Sequence, residues 1–108
     1  MKALFAIAFA LPLSAATAAA QDLESMNLAN QLGTVLASEE ACGLSYDQDA
    51  IAAFIEENVA ADDMGFASTL RGMTKWQRSG LKSMSASERT AHCTQIRRVA
   101  VSYGFIKD

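Results

Sequence analysis

Beyond residue 20 the apolar positions of this chain recur at three- and four-residue steps, and no run alternates residue by residue as a half-buried strand would. Leu23, Met26, Ala29, Leu32, Val35 and Leu36 form one stripe, which predicts a first helix from about Leu23 to Ala41. Gly33 weakens its interior slightly and leaves room for a neighbour to come close, and Gly43 supplies a stop. Ile51, Phe54, Ile55 and Val59 predict a second helix. Ser45 precedes Gln48 by three residues, a capping-box spacing, with Asp47 as a rival cap.

A third segment is expected to begin at Asp62 or Asp63 and reach Met84, with Phe66, Leu70, Met73, Gln77, Leu81 and Met84 on one stripe. Trp76 lies on the border of that stripe, where core packing is the favoured role and a protein contact the alternative. Gly72 and Gly80 argue against a single straight helix, and Ser79-Gly80 is the expected break. The fourth helix has the strongest start, Ser85 with Glu88 three residues on. Its inward face is Cys93, Ile96, Val99, Ala100 and Tyr103; Gly104 ends it, and Phe105-Ile106 can fold back over the end of the bundle. The pattern predicts an all-α fold, a small four-helix bundle with three long helices and one short as its variant. Met26, Met64, Met73 and Met84 are expected to fill gaps in its core.

The first twenty residues follow different rules. Lys2, an apolar run from Ala3 to Leu13, Pro12 near its end, and Ala18-Ala19-Ala20 have the order of a secretory signal peptide cleaved before Gln21. That division gives residues 1–20 as signal and 21–108 as one small helical domain. The run is too short and too interrupted for a membrane span, and no later segment replaces it. The simple Ala/Leu/Phe signal points to a bacterial source and to the periplasm or the medium.

Export changes the meaning of the two cysteines. In an oxidising compartment Cys42 and Cys93 are expected to form an internal disulfide that staples the first helix to the last. A redox enzyme would place its cysteines two apart, and this sequence gives no reason to expect exchange chemistry.

Charge is sorted along the chain. From Asp22 to Asp63 there are ten acidic side chains and no basic one; from Arg71 to Lys107 there are eight basic side chains and only Glu88 opposing them. Arg71, Lys75, Arg78 and Lys82, at steps of four, three and four, make a basic ribbon on one side of the third segment. Its ordinary role would be to complement the acidic half, its functional one to meet an anionic partner. The acidic balance, a net charge of -3 before processing, and the expected export argue against nucleic acid.

No catalytic set emerges. His92 is adjacent to Cys93, so the two point about 100° apart on a helix and cannot act as base and nucleophile. Glu56 and Glu57 diverge in the same way. Asp47, Asp49, Asp62 and Asp63 lie near helix starts, where capping explains them without calcium, and zinc would need more ligands than one histidine. No cofactor is expected. The sequence therefore predicts a small exported, non-enzymatic helical protein that binds another protein or an anionic envelope component through Arg71, Lys75, Trp76, Arg78 and Lys82, with homodimerisation open. The alternative is an acid- or stress-responsive periplasmic chaperone or inhibitor, opened when the acidic half loses charge.

Overall fold

The computed structural model describes the backbone of residues 12–107 and the side chains from Leu23 onward. Met1 to Leu11, the front of the expected signal segment, and Asp108 lie outside the described residues. Four helices follow in order among those described: α1 (Pro12–Ala41), α2 (Gln48–Asn58), α3 (Phe66–Leu81) and α4 (Ala86–Ser102). None of them is long and apolar enough to cross a membrane.

The first helix begins eleven residues before the expected Leu23. Pro12 is tolerated at a first helical position because its missing amide would have no intrahelical partner, and the alanines after it are the best helix formers. Helix α1 ends as expected at Gly43, whose φ of 66° leads the chain out. Gly43 N–H donates to the Glu40 carbonyl at 3.1 Å and Leu44 N–H to that of Glu39 at 2.8 Å, the paired bonds of a Schellman motif. Helix α4 ends in the same way. Gly104 (φ 81°) donates to Val101 and Phe105 to Ala100, which turns the Phe105 ring back into the core, fully buried.

The other starts divide. Ser85 and Glu88 form the expected reciprocal box at the head of α4. At α2 the rival cap prevails: the Asp47 carboxylate accepts from the Asp49 and Ala50 amides, and Ser45 is not the cap. Asp47 N–H is itself anchored on the Phe105 carbonyl at 2.8 Å, which brings the carboxylate to the helix end. Helix α3 starts at Phe66, later than Asp62 or Asp63, because the Asp63 carboxylate accepts the Ser25 hydroxyl at 2.7 Å instead of a helix amide. It stops at Leu81, short of Met84. Gly80 remains helical, so the expected break at Ser79-Gly80 is absent and the exit is a turn through Lys82–Met84.

Helices α1 and α3 lie side by side and run in the same direction: Ser25 meets Asp63, Gly33 meets Met73, and Ala41 shares a hollow with Leu81. Gly33 makes the close approach possible, since a Cβ there would stand 3.0 Å from the Met73 Cβ and 3.3 Å from the Thr74 amide. Helix α4 meets the C-terminal end of α1. The Cys42–Cys93 disulfide, with Cα atoms 5.3 Å apart, fixes that junction as expected. Helix α2 buries no residue fully and joins the rest through aromatic contacts, Phe54 to Tyr103 at 4.7 Å and to Phe105 at 5.6 Å.

The core is Ala29, Leu32, Val35, Tyr46, Phe66, Ile96, Ala100 and Phe105. Four expected members are displaced from it. Leu23 and Met26, at the front of α1, are exposed. Met64 sits on the outside of the 61–65 turn. Trp76, 74% exposed, is not a core residue. It is one step off the Met73–Gln77 row that faces α1, and no other helix covers its flank.

Candidate functional site

The basic ribbon forms one wall of a groove between α1 and α3. A hollow of about 440 Å³ is lined by Leu36, Ala67 and Leu70 with Thr74, Arg71, Lys75 and Arg78. A second, of about 290 Å³, is lined by Ala37, Ala41 and Leu81 with Arg78, Lys82, Arg89 and Glu40. Arg78 lines both, so the two hollows adjoin at its side chain and together make up a trough along the α1–α3 pair. Its floor is small and apolar, its wall cationic. Helical spacing puts the four α3 cations along one side because steps of four, three and four stay close to the 3.6-residue turn.

Of the five residues expected at a partner surface, Arg71, Lys75, Arg78 and Lys82 come together here. Trp76 does not: it lies roughly 130° round α3 from the row of cations. Arg89, of the three further arginines that the sequence places on the last helix, is the one that joins them. It enters from α4, where its guanidinium donates to the Leu81 carbonyl at 3.2 Å and is thereby held at the mouth of the second hollow. The available signal was its place in the first turn after Ser85, directly beyond the end of α3. Arg98 turns elsewhere, to Gln95 at 3.3 Å.

No family model, characterised protein or solved structure matches this chain. The site has to be read from its own geometry.

Among the described residues Glu40 is the single carboxylate that lines the trough. The other acids with hydrogen bonds serve neutral groups. Glu39 accepts from the Tyr46 amide at 2.7 Å, Asp47 caps α2, Asp63 holds Ser25, and Glu88 accepts from the Ser85 amide at 2.9 Å. The amide and hydroxyl of Ser85 keep the Glu88 carboxyl below its usual value. Asp49, Glu56 and Glu57 are exposed on α2, which packs on the C-terminal aromatic residues.

A serine–histidine contact also forms, between residues 54 apart in sequence: Ser38 Oγ lies 2.8 Å from His92 Nε2. Ser38 is buried, and its Oγ is also 2.7 Å from the Thr34 carbonyl. A hydroxyl has one proton and a carbonyl can only accept, so Ser38 donates to Thr34 and His92 Nε2–H donates to Ser38. An activated nucleophile would need the opposite polarity and an open approach. The pair is a clasp between α1 and α4 beside the disulfide. Cys93, bonded to Cys42, carries no thiol for His92 to activate. Among the described residues no group of three or more His, Cys, Asp or Glu side chains is placed to hold a metal ion.

Proposed function

We propose that this is a small exported helical protein, without enzymatic activity of its own, that works by binding an anionic macromolecule along the α1–α3 trough. The observation that carries the proposal is the meeting of five cations from two helices, Arg71, Lys75, Arg78, Lys82 and Arg89, on one concave strip with a single carboxylate. Cations spent on folding would face acids of the same chain; Arg71, Lys75, Arg78 and Lys82 are exposed, and Arg89 donates to a backbone carbonyl, that of Leu81. Export is supported by the order of charge, apolar run and small residues from Lys2 to Ala20, and by a disulfide of the kind that persists in oxidising compartments.

The test uses chain purified from the exported fraction, where intact mass should show loss of residues 1–20. Binding is then titrated with polyglutamate at low and high salt. The double variant Arg71→Glu/Arg78→Glu should weaken binding by about tenfold or more, while Arg97→Glu/Arg98→Glu, with the same change of net charge, should leave it near the parent value. Equal losses in both variants would show that overall charge, and not the trough, is responsible.

A further inference from the structure

We propose that the occupant of the trough is an acidic amphipathic helix of a partner protein, packed as a third helix against α1 and α3. This rests on the anion-binding reading above and specifies its ligand. The floor decides among anions. Leu36 and Leu70, half-buried, with the exposed Ala41 and Ala67 offer apolar surface that a pure polyanion would leave uncovered, whereas a helix with an apolar stripe covers it. Ala37, Ala41 and Ala67 keep the floor low enough for a helix axis to approach within about 8–10 Å, ordinary helix packing distance. Arg71 and Lys82 are eleven steps apart, a rise of roughly 16 Å, so carboxylates at matching steps along one flank of a three-turn helix can meet the cations in register.

Other occupants fit less well. A flat headgroup layer reaches the rim of a trough and not its floor, and Trp76, the side chain best suited to a membrane interface, is on the opposite flank. A second copy would have to supply an acidic helix with a free apolar side. Helix α2 has the acids, but Ile51, Phe54 and Ile55 are already packed on the core, and the exposed Leu23, Glu24 and Met26 at the front of α1 make up a single turn where the trough needs three.

The test compares two synthetic peptides of about 15 residues and identical Glu/Leu/Ala composition, one with glutamates and leucines on adjacent helical faces and one with the order scrambled. Polyglutamate and phosphatidylglycerol vesicles are titrated alongside, and light scattering follows the mass of the free chain. The patterned peptide should bind about tenfold tighter than the scrambled one and gain helical circular dichroism on binding. Ala67→Glu, at an exposed position, and Arg78→Glu should each remove that preference while the melting temperature is unchanged. Equal affinity for both peptides and polyglutamate, lost in Arg71→Glu/Arg78→Glu, would overturn the helix and leave the anion trough standing. Preference for vesicles would overturn it in favour of a membrane surface, and a dimer that excludes the peptide in favour of a second copy. Failure of every probe would overturn the anion trough as well.

Discussion

Tyr46 shows how much one side chain can hold in a core this small. Its hydroxyl donates to the Val35 carbonyl at 2.8 Å, its amide to Glu39 at 2.7 Å, and its ring lies 5.7 Å from that of Phe105. Burial, and then the charge of Glu39, push its hydroxyl from 10.0 up to about 12. The folded chain thus keeps a proton that the unfolded chain would release. The corresponding stability is complete below pH 10.0 and is lost as pH rises through about 12. Tyr46→Phe should cost about 1 kcal/mol at neutral pH through the lost hydrogen bond, and its urea midpoint should fall less steeply in that alkaline window. Parallel falls in parent and variant would place the alkaline sensitivity elsewhere. Glu88 has the opposite sign: its lowered value gives a contribution present at neutral pH and lost as pH falls through the folded value.

At the level of elements, the α1–α3 pair depends on a bare backbone at one crossing. Gly33 faces Met73 Cβ and the Thr74 amide, whereas Gly72 and Gly80 have nothing within 4 Å of a built Cβ. All three are helical with ordinary φ, so an alanine gains helix propensity of about 1 kcal/mol at each. Gly72→Ala and Gly80→Ala should therefore raise the unfolding midpoint. Gly33→Ala should gain nothing or lose, because backbone that cannot rotate away must shift, and Gly33→Val should cost about 1–3 kcal/mol. Equal stabilisation at all three positions would mean the helices are not in contact there. The glycine's role was legible from its place in the first stripe, as were the Ser85–Glu88 box, the Gly43 and Gly104 stops and the return of Phe105. These are local signals, complete within a few residues. What was not legible depended on partners distant in sequence: Asp63 drawn to Ser25 and away from capping, and Trp76 left on an uncovered flank. The ribbon on α3 could be read from its spacing, but its apolar floor comes from α1 and only the fold supplies it.

For the whole molecule the question is what keeps α2 and α4 on the α1–α3 pair. Helix α2 has no fully buried residue, and α4 contributes only Ile96 and Ala100 to the fully buried set. Beyond these, the junction rests on the aromatic contacts of Phe54, Tyr103 and Phe105, the Ser38–His92 clasp, and the disulfide. Closing a loop across a separation of 51 residues removes chain entropy worth on the order of 4 kcal/mol in the unfolded state. Small domains commonly have about 5–10 kcal/mol in total, so the bond is a large share. Reductant, or Cys42→Ser/Cys93→Ser, should lower the urea midpoint sharply, and amide exchange should rise most in α4 and α2 while α1 and α3 keep more of their protection. That order follows from the contacts: α3 runs along α1 with Gly33 at the crossing, whereas α4 meets only one end of α1. A chain so dependent on its crosslink would be least stable where thiols stay reduced, so the proposed export would couple maturation of the fold to arrival in an oxidising compartment. Unfolding that is indifferent to reductant would remove that coupling and shift the burden of holding α4 onto Ile96, Ala100 and the Ser38–His92 clasp.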